Sequence, residues 1–85
     1  MEILYSPEFS RCFKKLSREL KIKAVEREKI FKQDPFDPKL KTHKLSGKLK
    51  GKLAFWIDFK IRIIFSVIKP NLIYFHSVGS HDIYK

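Results

Sequence analysis

Residues 53–76 read LAFWIDFKIRIIFSVIKPNLIYFH. Leu53, Phe55 and Ile57 alternate with Ala54, Trp56 and Asp58. Ile61, Ile63, Phe65 and Val67 alternate with Arg62, Ile64, Ser66 and Ile68, and Ile73 and Phe75 with Tyr74 and His76. A period of two is that of a pleated strand, whose successive side chains point to opposite faces. Short breaks at Phe59-Lys60 and Lys69-Pro70-Asn71 predict three consecutive strands joined as antiparallel hairpins. The odd positions of the middle strand, Ile61 to Val67, are all apolar, so that face is expected to carry the core. Arg62 then points to the other face of the sheet.

Upstream the period lengthens. Ile3 to Tyr5 form a short apolar run, and Ser6-Pro7-Glu8 is a favourable cap, first-turn and acidic sequence for a helix start. Phe9, Cys12, Phe13 and Leu16 recur at helical spacing, with Arg11, Lys14, Lys15 and Arg18 on the other side. Ser17 can cap a second helix to about Gln33, whose looser apolar stripe comprises Leu20, Ala24 and Phe31 with Ile22, Val25 and Ile30. Asp34-Pro35-Phe36-Asp37-Pro38 stops it, because proline lacks the N–H and pushes its predecessor toward extended geometry. The expected fold is α+β with order β-α-α-β-β-β, a helical hairpin packed on one face of a mostly antiparallel sheet, in a single domain over residues 1–85.

An 85-residue chain leaves little room for a deep enclosed cavity, so any active site is expected to be shallow. Lysine and arginine number 19 against nine acids, a formal charge of +10 that points to a polyanionic partner. Cys12 is the single cysteine, which excludes an internal disulfide and a cysteine metal cluster; it reads as a core filler. The nearly apolar stretch Ile61–Ile68 is interrupted by Arg62 and Ser66 and is far short of the roughly 20 residues of a membrane span. With no basic-then-apolar leader either, a soluble cytoplasmic protein without a membrane partner is expected. The three histidines lack metal-binding helical spacing, and Gly47, Gly51 and Gly79 form no phosphate loop, so neither a metal nor a small-molecule cofactor is expected.

The chemistry-bearing residues fall into three groups. Lys39 to Lys52 holds six lysines with His43 and no acid. Lys41, Lys44, Lys48, Lys50 and Lys52 are the candidates to follow a phosphate backbone; the bland alternative is an edge strand protected by lysines. Arg62, alone among arginines in the predicted sheet, can grip two oxygens of one phosphate, or else pair with Asp58 across the hairpin. The C-terminal residues His81, Asp82 and Tyr84 cluster ionisable groups, and His81 can exchange a proton near neutral pH with Asp82 or Tyr84 holding its geometry. His43 is the second proton carrier, whereas His76 reads as a sheet-surface residue with a satisfied hydrogen bond. Against RNA such a set would suffice without metal: a base takes the 2′-hydroxyl proton, the oxygen attacks the adjacent phosphorus, and an acid protonates the departing 5′-oxygen.

The segments Asp34–Gly51, Lys60–Phe65 and Val78–Tyr84, in that order, resemble RelE/ParE-superfamily toxins of bacterial type II toxin–antitoxin systems, particularly the YafQ-like branch. The likeness spans nearly the whole chain. It implies a compact microbial ribonuclease fold with RNA on the face away from the helices, ribosome-dependent and metal-independent cleavage of mRNA, inhibition of translation, and neutralisation by a cognate antitoxin. By position, His43 matches the histidine before the Leu-x-Gly motif, Arg62 the arginine of the third strand, His81 the catalytic position after the last strand, and Tyr84 the C-terminal aromatic. Where YafQ-like members carry a further histidine and an aspartate before the third strand, this chain has Trp56, Ile57 and Asp58. The rival expectation is a non-enzymatic ParE-like toxin that inhibits DNA gyrase by protein binding, which would need no histidines; a bare RNA-binding module is a third.

Overall fold

A computed structural model of the chain describes residues 1–80. Strand β1 (Glu2–Tyr5) gives way at Ser6 to helix α1 (Pro7–Lys14). The Ser6 hydroxyl accepts a hydrogen bond from the Phe9 amide at 2.9 Å and Pro7 occupies the first turn, as its fixed φ favours. Ser17 caps α2 (Arg18–Gln33) in the same way, its hydroxyl accepting from the Leu20 amide at 3.2 Å. The chain then crosses to β2 (His43–Lys44), β3 (Leu53–Trp56), β4 (Ile61–Lys69) and β5 (Leu72–Ser80).

These strands make one five-stranded sheet in the order β1-β5-β4-β3-β2. The β2–β3, β3–β4 and β4–β5 pairs are antiparallel. Strand β1 runs parallel to β5, since the helical hairpin carries the chain from one edge over the sheet before the meander begins. Element order and layering are those expected from the sequence, with one addition: β2, two residues long, inside the lysine-rich segment.

Phe31 of α2 centres the core. It stacks on Phe55 (4.8 Å between centroids) and meets Phe65 and Phe75 edge-on at 4.9 and 5.5 Å, geometries that suit the ring quadrupoles. Phe9, Ala24, Leu40, Ile57, Ile63, Ile73 and Val78 complete the buried cluster, and Cys12, Phe13 and Leu16 pack partly against it. Cys12 is thus a packing residue, as read.

Three details depart from the sequence reading. Val67, expected on the core face, is 52% exposed: a register shift between Val67 and Lys69 falls here, and the strand's last three residues are exposed. Ile57 is fully buried yet lies outside β3, in the turn. The hairpin register is also set one residue over from that of a two-residue break at Phe59-Lys60, which would put Asp58 opposite Ile61. The Ile57 amide instead bonds the Ile61 carbonyl at 2.9 Å and Trp56 stands opposite Arg62. A one-residue slip changes which side chains meet across the strands, and the site depends on it.

Candidate functional site

Arg62 does lie on the sheet face opposite the helices. Its neighbours in the strand, Ile61 and Ile63, pack into or against the core cluster, and pleating turns Arg62 the other way. Directly paired residues share a face, so the register arranges this surface in rows. One row holds Trp56, Arg62 and Gly79; the next holds His43, Ala54, Ile64 and Ser77. A third brings Ser66 against Tyr74, with His76 at the bulge beside them. Ala54 and Ile64 are buried and give the face an apolar floor.

Although only 6% exposed, Arg62 has no carboxylate partner among the described residues. Its Nη1 donates to the backbone carbonyl of Asp58 at 2.7 Å, and the guanidinium carbon sits 3.8 Å from the centroid of the Trp56 ring. The ion pair with Asp58 considered from the sequence does not form. Asp58 Oδ1 instead accepts from the amides of Lys60 (2.8 Å) and Ile61 (2.7 Å), tying down the tight turn. Asp58 therefore supports Arg62 through its carbonyl, and its carboxylate does not cancel the cation's charge.

Lys41 adopts the left-handed backbone conformation, φ 52° and ψ 38°, that non-glycine residues seldom adopt. This kink sends its Nζ to 5.2 Å from the Trp56 centroid and its carbonyl to His43 Nδ1, 2.9 Å away. A carbonyl only accepts, so Nδ1 carries the proton and Nε2 is the basic nitrogen of the neutral ring. From strand spacing and rise, the Cα atoms of His43 and Arg62 are roughly 12 Å apart, so two side chains on the same face can reach toward one phosphate.

His76 lies farther along this face. Its Nε2 is 2.7 Å from Ser66 Oγ, and its ring meets Tyr74 edge-on at 4.8 Å, which agrees with the reading of a hydrogen-bonded sheet-surface histidine. Partial burial lowers its pKa below the ordinary value, the positive field of Lys52 lowers it further, and Glu8 opposes weakly. The neutral ring is favoured.

The lysines divide. Lys41 joins Arg62 at Trp56, and Lys52, in alternation with Ala54 and Trp56, borders His76. Lys44 pairs with Leu53, whose side chain packs on the core cluster, and so belongs to the helix side of the edge strand. Lys48 lies within a single 3-10 turn over Gly47–Leu49 and Lys50 just after it, flanked by Gly47 (φ 66°) and Gly51 (φ 93°). His81, Asp82 and Tyr84 lie outside the described residues. Among the described residues no three His, Cys, Asp or Glu side chains come together as a metal-holding group, and no helix is long and apolar enough to cross a membrane.

A cavity of about 360 Å³ opens on the opposite, helical side between Tyr5, Phe9, Phe13, Val25 and Phe75, with the Tyr5 hydroxyl donating to Glu28 at its wall. None of the candidate residues among those described lines it. Trp56 was missed as a site residue because the two-residue break hid its register with Arg62; a three-residue turn at 58–60, which sets Ile57 opposite Ile61, would have paired them from sequence alone.

No protein-family model matches the chain, and no curated protein matches its sequence. Solved structures do match. YafQ from E. coli superimposes with a TM-score of 0.72 at 22% identity, over 96% of this chain and 94% of that one. A YoeB/ParE toxin from Agrobacterium tumefaciens gives 0.80 at 15% identity, over 95% and 99%. The YoeB–YefM toxin–antitoxin complex from Staphylococcus aureus gives 0.77 at 22% identity, over 95% and 97%. The chain carries the RelE/ParE toxin fold. The fold implied by the resemblance read from the sequence and that of the superimposed structures thus agree, with a YafQ structure among the matches. In this toxin fold the helices cover one face of the sheet and leave Arg62, Trp56, Lys41 and His43 on the other.

Proposed function

We propose that the chain is the toxin of a type II toxin–antitoxin system and acts as a metal-independent, ribosome-dependent endoribonuclease on mRNA. The observation that carries this reading is Arg62: a nearly buried guanidinium on the helix-free face, stacked on Trp56, bonded to a carbonyl and not neutralised by a carboxylate among the described residues. Such a group is suited to an oxyanion. The superimposed relatives include a protein named as a toxin and a toxin–antitoxin complex, which supports the biological setting and an antitoxin as protein partner.

In the proposed reaction His43 Nε2 takes the 2′-hydroxyl proton and the 2′-oxygen forms a bond to the adjacent phosphorus. The bond from phosphorus to the 5′-oxygen breaks, and His81 donates a proton to that oxygen, with Tyr84 and Asp82 assisting. Arg62 and Lys41 stabilise the charge on the non-bridging oxygens. The products are a 2′,3′-cyclic phosphate, or the 3′-phosphate from its hydrolysis, and a 5′-hydroxyl. A small domain with so few groups on this face does little to hold a flexible strand in the in-line geometry, so the ribosome is assigned that part and cleavage of free RNA is expected to be weak.

Primer extension on a translated mRNA tests the proposal. Wild type is expected to give breaks in codon register, while His43→Gln, Arg62→Ala and His81→Gln each reduce them by 10²-fold or more, the scale of a lost proton carrier or charge stabiliser. Intact mRNA together with inhibited gyrase supercoiling would support the ParE-like alternative. Intact mRNA bound in a salt-sensitive manner would leave an RNA-binding module.

A further inference from the structure

We propose that Trp56 is a positioning residue that holds the Arg62 guanidinium in one plane, so that its Nε and Nη2 N–H groups can take two oxygens of a single RNA phosphate. The proposal rests on the reading of this face as a phosphodiester site and adds the residue that fixes its arginine. Trp56 and Arg62 are direct partners across the β3–β4 ladder. At 3.8 Å from the ring centroid the guanidinium carbon is in stacking contact, a cation–π arrangement that the flat guanidinium makes better than an ammonium.

A second restraint is independent of the first. Nη1 donates to the Asp58 carbonyl at 2.7 Å, and that carbonyl belongs to a turn pinned by two amide bonds to its own carboxylate. The stack fixes the plane and the bond fixes rotation within it. Nε and Nη2 have no hydrogen-bond partner among the described residues, and together they form the side-on fork that matches two phosphate oxygens. Holding a long side chain in its bound orientation before the ligand arrives removes an ordering cost from binding. Lys41, over the same ring, adds positive charge beside the fork.

Arginine side-chain NMR on the full-length chain, combined with binding of a 2′-deoxy oligonucleotide that the proposed chemistry cannot cleave, tests the assignment. In wild type the Arg62 Hε resonance is expected upfield, within the ring current of Trp56, the only tryptophan in the chain. Trp56→Leu should return it to the position of an exposed arginine and weaken oligonucleotide binding about five- to tenfold, the worth of one cation–π contact. Trp56→Phe, which keeps an aromatic face, should recover most of both. With Arg62→Lys already in place, Trp56→Leu should add little, because its effect passes through the arginine.

Additive losses in that double variant would mean that Trp56 touches RNA itself and would overturn the proposal, as would wild-type affinity in Trp56→Leu. Wild type failing to bind the oligonucleotide would defeat the phosphodiester reading, and the stack would then be judged on the Arg62 resonance alone. An upfield Hε that moves on titration with inorganic phosphate upholds positioning; an unshifted one overturns it. The same wild-type resonance decides the matter if Trp56→Leu does not fold.

Discussion

Ser6→Ala should destabilise the fold far more than an ordinary surface substitution, because one hydroxyl serves two elements. Ser6 is 7% exposed; its oxygen accepts from the Phe9 amide at 2.9 Å and its proton goes to the His76 carbonyl at 2.6 Å. The first bond starts α1, and losing such a cap costs about 1 kcal/mol. The second ties the helix start to β5, and a lost hydrogen bond at a largely buried acceptor adds about 1 kcal/mol or somewhat more. The sum, about 2 kcal/mol, corresponds in a domain of this size to a Tm lowered by about 8–16 °C. Urea unfolding followed by circular dichroism reads the free energy, and a thermal melt reads the shift. Ser6→Asp separates the two parts: its carboxylate can accept from Phe9 but cannot donate to His76, so its stability should lie between wild type and Ser6→Ala. A loss below about 0.5 kcal/mol in Ser6→Ala, the range of indifferent surface changes, would refute the double role.

Relief of left-handed strain makes Lys41→Gly about 1 kcal/mol more stable than Lys41→Ala, the reverse of the usual order, as measured by chemical denaturation. Protonation of His76 is disfavoured in the folded state, so the unfolded chain binds more protons between the lowered folded pKa and the ordinary 6.5. Wild-type stability should therefore fall as pH drops through that window, and urea midpoints against pH should show a shallower fall in His76→Gln. In oligonucleotide binding at several salt concentrations, Lys52→Ala and Lys41→Ala should each reduce the slope of log K against log salt by about 0.7, the value for one single-strand phosphate contact. Lys44→Ala, on the helix side of the edge, should change it less.

Where local chemistry dictated structure, the sequence was legible. Ser6-Pro7 and Ser17 marked both helix starts because a hydroxyl before a helical run has a specific amide to satisfy, and Asp34-Pro35 marked the end of α2. The alternation around Arg62 placed it correctly on the face away from Ile63 and Phe65. The misses arose where tertiary geometry decides. His43–Lys44 carries no strand pattern and becomes β2 only because β3 offers it an edge. The register of the Trp56–Arg62 pair turned on whether the turn had two residues or three, and Asp58's carboxylate was claimed by the turn's own amides before Arg62 could reach it. The kink at Lys41, which orients both its ammonium and His43, leaves no mark in a Leu-Lys-Thr-His sequence.

The chemical ends of the cleaved RNA probe the central claim most directly. Product fragments from a translated mRNA, digested and examined by mass spectrometry, should carry 2′,3′-cyclic phosphate or 3′-phosphate termini and 5′-hydroxyls. A single 2′-deoxy substitution at the scissile nucleotide should abolish the cut. Fragments ending in a 3′-hydroxyl and a 5′-phosphate, or undiminished cutting at the 2′-deoxy position, would contradict an attack by the RNA's own hydroxyl on a phosphate held at Arg62.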